Sequence, residues 1–339
     1  MNAAAASRHP RYLIVGLGSI GRRHAANLAQ LRPECEIAAL RRSVTGDCPE
    51  SIAHELTSFD AVAAFAPDAA IVAGPATTHL AAAQALVALG IPTLIEKPLS
   101  HSLAGVTALA DAAERADVPV MVGYNLRFRA SLLAARERLL AGAIGDVRLA
   151  RIEVGQFLPD WRSGGDYRDQ VSAQAGLGGG PLLELSHEID YLYWMFGLPT
   201  HVTARGGRYS DLAIDVEDSV DVILEFQDPA RIATIHLDFL QRPPARIGKF
   251  VGSDGILVWD GIAGTTELHR PDETAERVAV DPADRNVMYM EELTAFLDVA
   301  DRRGASPIGL RAGIEVMTII DAARRSMDTG RTQPVEPAS

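Results

Sequence analysis

The chain of 339 residues has 32 basic and 44 acidic side chains, a net charge of −12, and so lacks the basic face that phosphate-led binding to nucleic acid requires. Its 47% hydrophobic and 22% charged residues suit a globular protein long enough for two domains, and no uncharged apolar run reaches the length of a membrane span, about 18 residues or more. Cys35 and Cys48 show neither metal-binding nor disulfide spacing, which points to reduced thiols, a cytoplasmic location and no metal site.

Residues 1–10 are alanine-rich without the order of a signal peptide, and read as a disordered tail. The apolar run Tyr12 to Val15 predicts a strand, and Ala25, Leu28 and Leu31 predict a helix over Arg22 to Leu31. Between them lie Gly16, Gly18, Ser19, Ile20 and Gly21 in a GxGxxG turn. In that context the first glycine permits the turn, the second lets a pyrophosphate approach the backbone, and the third lets helix and strand pack closely. A second strand is expected over Glu36 to Leu40, followed by Arg41, Arg42 and Ser43 where an NAD-selective site carries an acid. Arg41 and Arg42 could bind a 2′-phosphate, which favours NADP; two solvated surface arginines and NAD are the alternative.

Asp68 to Gly74 predicts another strand, and its turn offers Pro75, Thr77 and His79 to a cofactor, or Thr77 and Thr78 as helix caps. Thr93 to Ile95 predicts a buried strand that delivers Glu96, Lys97 and Pro98 to the carboxyl edge of the sheet, where chemistry gathers in open parallel folds. A helix over Leu103 to Arg115 and a strand over Val118 to Gly123 complete the alternation. Residues 11–125 are therefore expected to form a doubly wound parallel sheet, an α/β Rossmann unit.

Asn125 is expected to meet the cofactor and Arg127 the substrate, and beyond them the pattern changes. A helix over Ala130 to Ala141 precedes strands expected at Val147 to Phe157, Val202 to Arg208, Val216 to Phe226, Arg231 to Phe239 and Arg246 to Val251. Helices over Asn286 to Ala300 and Leu310 to Met327 close the chain. Residues 126–330 thus predict an α+β domain with an open, mostly antiparallel sheet for substrate binding and oligomerisation, and 331–339 a frayed tail. A long connection brings Trp161, Arg162, Tyr167 and Arg168, residue types that stack on rings or fork onto anionic groups, although such a loop could equally pack on a neighbouring subunit.

Pro181, after Gly178 to Gly180, predicts a helix start. On that helix Glu184, His187 and Asp190 are spaced three apart and are expected to share one broad face. A histidine flanked by carboxylates suits general acid–base work. A solvated polar face or a metal site would give the same spacing.

The glycine turn, Glu96-Lys97-Pro98, Gly123 to Phe128 and Gly179 to Asp190 together resemble the Gfo/Idh/MocA family of NAD(P)-dependent oxidoreductases over nearly the whole chain. The resemblance implies a Rossmann domain, an open-sheet second domain, and homodimers or homotetramers. It also implies sugars, nucleotide-sugars or cyclic polyols as substrates, with Lys97 and His187 as the catalytic pair. It implies a cis bond before Pro98 and matches Asp190 to the family's aspartate after the histidine. One departure stands out: the family's aspartate four residues before the histidine is Leu183 here, and Glu184 lies one position later. The expected reaction is hydride transfer at a CH–OH carbon, with His187 taking the hydroxyl proton, Lys97 steadying the oxygen, and Asp190 or Glu184 orienting His187. The rivals are a lyase or glycosidase using tightly bound NAD transiently, and a dinucleotide-binding regulatory protein without catalysis.

Overall fold

Six short strands, nearly all apolar, assemble the first sheet. They are β1 (Arg11–Val15), β2 (Glu36–Leu40), β3 (His54–Leu56), β4 (Ala69–Val72), β5 (Thr93–Glu96) and β6 (Val120–Gly123), paired in parallel in the order β3-β2-β1-β4-β5-β6. The computed structural model describes residues 9–44, 46–161 and 165–337. Every residue of β4 and β5 is buried, as expected of central parallel strands with helices on both faces. The covering helices include α1 (Ser19–Leu31), α2 (Phe59–Phe65), α3 (Ala76–Ala88) and α4 (Val106–Arg115). The order reverses at β1, so the crevice beside that strand's carboxyl end is the topological switch point where ligands bind.

The chain then forms α5 (Ala130–Leu140) and the strands of a nine-stranded sheet. These are β7 (Leu149–Gly155), β8 (His201–Gly207), β9 (Ser219–Gln227), β10 (Ala230–Asp238), β11 (Ala245–Val251), β12 (Ile256–Asp260), β13 (Thr265–His269), β14 (Glu276–Val280) and β15 (Gln333–Pro334). All neighbours pair antiparallel except β7 with β10. Along β9, Val220, Val222, Leu224 and Phe226 are buried, while Asp221, Ile223 and Glu225 face outward. This period-two alternation shows a sheet with one covered face. On the bare face Leu149, Ile223, Ile232 and Ile247 stand among charged side chains.

Between and against the sheets run α6 (Pro181–Glu184), α7 (His187–Phe196), α8 (Val287–Ala300) and α9 (Leu310–Thr329). Gly313 lets α9 reach the first sheet: a Cβ there would lie 2.9 Å from Val122 Cγ2. Among the described residues, no helix is long and apolar enough to cross a membrane.

Several expectations are corrected. Gln333 and Pro334 pair with β8 and Val335 is buried, so this part of the tail is held rather than frayed. Of the N-terminal tail only His9 and Pro10 lie within the described residues, and the Pro10 carbonyl accepts from Glu36 N at 2.9 Å. The short elements β3 and α2, and the hairpin strands β12 to β14, were not expected. They are brief, at three to seven residues, and in β14 no side chain is buried to mark a face, although β12 and β13 do alternate.

Candidate active site

The glycine turn joins β1 to α1. Gly16 adopts φ +92°, and a Cβ there would meet the Gly74 backbone at 3.0 Å. A Cβ on Gly21 would strike the Gly16 carbonyl oxygen at 2.1 Å, so this glycine lets helix and strand pack. Gly18 differs, because no atom lies within 4 Å of its hypothetical Cβ. It is the N-cap of α1 and, with Ser19, is exposed; no side chain caps the first-turn N–H groups. An open glycine before uncapped amides at a helix N-terminus is a cradle for a pyrophosphate. Ile20, beside it, is half-buried.

At the end of β2, Arg41 Nη1 donates to Glu55 Oε2 at 3.1 Å, while Arg42 is exposed. Arg22, which was not singled out from the sequence, joins them by donating to Asp47 Oδ2 at 2.8 Å. Its position directly after Gly21 was the available signal.

After β4, Pro75 is the N-cap of α3 and no side chain caps the helix. Thr78 Oγ1 donates back to Pro75 O at 2.8 Å, and Thr77 is half-buried. The expected threonine cap is therefore not formed. His79 is buried, with its two ring nitrogens each 2.8 Å from a carbonyl oxygen, of Pro98 and of Gly74. Burial pushes its pKa down although both carbonyls pull it up. Its side chain ties the ends of β4 and β5 together and has no ring nitrogen left for a cofactor.

β5 delivers Glu96, Lys97 and Pro98, and the Lys97–Pro98 bond is cis. Glu96 is buried and its Oε2 accepts from Lys97 N at 3.2 Å. Lys97 Nζ donates to the main-chain carbonyl of Glu184 at 2.9 Å. That bond falls where the expected single helix is broken. In a continuous helix the Glu184 carbonyl would accept from Glu188 N, but Glu188 N bonds to Leu185 O instead, at 3.3 Å. The result is α6, a break at Leu185 and Ser186, and then α7 beginning at His187.

The break scatters the expected polar face. Glu184 Oε2 accepts from Ser172 Oγ at 2.9 Å. Asp190 accepts two bonds from Arg127, at 2.9 Å from Nε and 2.6 Å from Nη2, and both side chains are buried. Neither carboxylate hydrogen-bonds His187, so neither orients it as expected. Arg127 is likewise committed to Asp190, which leaves it a structural cation rather than a substrate ligand. Burial pushes the Asp190 carboxyl up, and Arg127 opposes that shift.

His187 itself is 9% exposed and packs edge-on against Tyr124, with ring centroids 5.7 Å apart. Its Nδ1 is buried without a hydrogen-bond partner among the described residues, and its Nε2 is not sealed off in this way. Burial, reinforced by the positive charges of Lys97 and Arg246, holds its pKa well below the ordinary histidine value. The ring is therefore neutral at neutral pH, the form a general base needs, although its lowered pKa makes it a weaker base than a free imidazole. Burial also raises the Tyr124 hydroxyl, which stays protonated.

Glu188 and Arg246 complete the site and were not anticipated. Glu188 is fully buried and accepts from Arg246 Nε at 2.8 Å and Nη2 at 3.2 Å. Nothing in strand β11 alone distinguishes Arg246 from a solvated arginine; the pairing is a tertiary contact. Arg246 and Leu185 border a cavity of about 640 Å³ that also meets Gln156, Trp161, Arg23 and Tyr289. Neither Lys97 nor His187 lines the cavity, which adjoins them at Leu185 and Arg246. Trp161 faces it with its Nε1 donating to Gln156 O at 2.8 Å and its ring on Phe239. Tyr167 and Arg168 do not line it: the Tyr167 hydroxyl accepts from Ala213 N at 3.1 Å, and Arg168 pairs with Asp166 on the surface. Arg162 lies outside the described residues. Asn125 is buried beside Lys97's strand with its Oδ1 unpartnered among the described residues.

Comparison with known proteins agrees with this fold. Residues 10–124 match the profile of the oxidoreductase family with an NAD-binding Rossmann fold, and residues 132–258 match the GFO/IDH/MocA C-terminal domain. The chain is 26% identical to the rhizopine catabolism protein MocA of Rhizobium meliloti, over 91% of this chain and 92% of that protein. It is 24% identical to a scyllo-inositol 2-dehydrogenase (NADP(+)) of Bacillus subtilis, over 95% of each. A levoglucosan dehydrogenase in complex with NADH shares the fold with a TM-score of 0.84, at 18% identity, over 97% of this chain and 100% of the other. With both halves matched in order, the chain belongs to the Gfo/Idh/MocA family of oxidoreductases.

Proposed function

We propose that this NAD(P)-dependent oxidoreductase transfers a hydride between nicotinamide and a secondary alcohol or ketone of a sugar, nucleotide-sugar or cyclic polyol. The observation that carries the reading is His187: a neutral imidazole with one reachable nitrogen, next to the charge of Lys97 at the carboxyl edge of the parallel sheet. The bound dinucleotide supplies the hydride acceptor or donor, and Gly16, Gly18, Ser19, Ile20 and Gly21 would hold its pyrophosphate. His187 takes the hydroxyl proton in the oxidising direction. Lys97 donates a hydrogen bond to the same oxygen and stabilises charge that develops there. Its present bond to Glu184 O keeps the ammonium aimed at the break between α6 and α7. Asp190 and Glu184 act through the backbone they hold rather than on the imidazole.

Polyol substrates fit the mixed polar and aromatic lining of the adjoining cavity, with Trp161 as a stacking surface and Gln156 and Arg246 as polar contacts. Two of the named relatives are a scyllo-inositol and a levoglucosan dehydrogenase. NADP is favoured by Arg41 and the exposed Arg42 directly after β2, where an NAD-selective chain carries an acid; Arg41 and the nearby Arg22 are paired with Glu55 and Asp47, bonds that a 2′-phosphate would replace. We assign residues 11–125 to nucleotide binding and 126–330 to substrate binding. The bare face of the nine-stranded sheet, with its row of partly exposed aliphatic residues, suits a homodimer or homotetramer in the cytoplasm.

Lys97→Ala and His187→Ala test the assignment. Each is expected to lose about a hundredfold or more in kcat while leaving the dinucleotide Kd nearly unchanged. Near-normal turnover in both variants would overturn it.

A further inference from the structure

Behind the Lys97 turn lies a polar cluster that the reaction does not use. His24 of α1, Glu96 of β5 and Glu292 of α8 converge, with one nitrogen or oxygen from each within 4.8 Å of the others. All three are buried, His24 and Glu292 completely. His24 Nε2 meets Glu96 Oε1 at 2.6 Å, and Glu96 Oε2 accepts from Lys97 N. Neither oxygen of Glu292, nor His24 Nδ1, has a hydrogen-bond partner among the described residues.

An ionised carboxylate with no donor in a dry interior is strongly disfavoured. Glu96 and Asp190 add like charge facing Glu292. The remaining groups around the cluster offer little relief. Tyr289 on α8 is a neutral phenol under Arg23, and Arg127 is committed to Asp190. The excess negative charge can be discharged by a cation or by a proton. A cation bound by His24 and Glu96 at ligand distances of about 2.0–2.2 Å, at right angles or wider, would hold their donor atoms about 2.8 Å or more apart. The observed 2.6 Å is a hydrogen-bond separation instead, and three side chains fall short of a closed structural site.

We propose that Glu292 is held as a neutral carboxylic acid and that, with His24 and Glu96, it positions the Lys97 turn. The acid stands within 4.8 Å of a His24 nitrogen and a Glu96 oxygen, and its proton removes the like charge that an ionised Glu292 would set against Glu96. Packed there, it brings α8 against α1 and against the Glu96 carboxylate that holds the Lys97 amide, without placing a second charge beside Glu96. Glu292 is a positioning residue, since it touches neither substrate nor cofactor in this arrangement. The positioning role rests on the reading of Lys97 given above; the protonation of Glu292 does not.

Two variants test the proposal on the full-length, chelator-treated protein. A buried acid whose folded pKa is raised loses folded-state stability as pH rises, because the unfolded chain ionises first. Glu292→Gln cannot ionise, so its Tm relative to wild type is expected to rise by several degrees between about pH 5 and about pH 8. An infrared carboxylic-acid band present at the higher pH in wild type and lost in the Gln variant is the matching signature. A Tm difference that does not change with pH overturns the protonation, as does one equivalent of metal in untreated wild type that Glu292→Gln lacks. For the positioning role, Glu292→Leu is expected to lower kcat about tenfold or more at unchanged nucleotide Kd, with Gln restoring most of it. A Leu variant with wild-type kcat overturns positioning. Wild-type turnover in Lys97→Ala would end the positioning role while leaving the pH and infrared results to decide the protonation.

Discussion

Arg127 and Asp190 offer a direct test of how the site is built. The guanidinium makes two hydrogen bonds to the carboxylate, and the side chains are only 6% and 1% exposed. Arg127→Met removes the cation and strands Asp190, on which burial and the neighbouring Glu188 already press the carboxyl upward. Breaking such a buried pair from one side costs about 3–5 kcal/mol. A domain is stable by only about 5–15 kcal/mol, so the variant is expected to unfold at markedly lower denaturant. The double variant Arg127→Met with Asp190→Leu removes both charges and is expected to recover most of that loss. Urea unfolding of wild type, both single variants and the double variant gives the coupling energy. If Arg127 served substrate instead, Arg127→Met would unfold at the wild-type midpoint and raise KM. That result would refute the structural role.

Other outcomes follow from the same geometry. Gly18→Ala enters open space and is expected to keep the wild-type Tm while weakening dinucleotide binding, whereas Gly21→Ala drives a Cβ into the Gly16 carbonyl and is expected to unfold the turn; the two Tm and Kd values check this. Because His187 is held neutral, kcat/KM for alcohol oxidation is expected to stay level on acidification through the ordinary histidine range and fall only below it, as the ring protonates; a pH profile with its inflection at or above that range would contradict the reading. His236 lies between Asp221 and Asp238, whose hydrogen bonds lift its pKa from 6.5 to about 9. Its contribution is therefore present below pH 6.5 and lost as pH rises through about 9, so His236→Gln is expected to flatten the Tm profile across that window. Arg41→Ala and Arg42→Ala are expected to weaken NADPH binding more than NADH binding, read by fluorescence titration.

Much of this arrangement was legible in the chain because local chemistry determines it. Gly16, Gly18 and Gly21 each have a different steric duty, visible from their spacing between a strand and a helix. The apolar runs of β1, β4 and β5 announce a parallel sheet, and β9 shows its alternation residue by residue. The partners of the polar residues were not legible. Glu184, His187 and Asp190 share a helical spacing, yet the helix breaks between Glu184 and His187, and Lys97 takes the Glu184 carbonyl at the break. Asp190 finds Arg127 at 63 residues' distance, and Glu188 finds Arg246 at 58. Such pairings are decided by how the sheets meet, which no local pattern encodes. His79 is a similar case: its place beside a cofactor turn suggested binding, but its two nitrogens face main-chain carbonyls from two strand ends.

The most direct test of hydride transfer is to follow nicotinamide absorbance while the purified protein acts on a panel of inositols, sugars and nucleotide-sugars with NADP+ or NAD+. The account predicts net reduction of the nucleotide, equal in amount to the ketone formed, and abolished in His187→Ala. Consumption of a substrate with no net change in nicotinamide absorbance would contradict it and establish transient use of a bound dinucleotide instead.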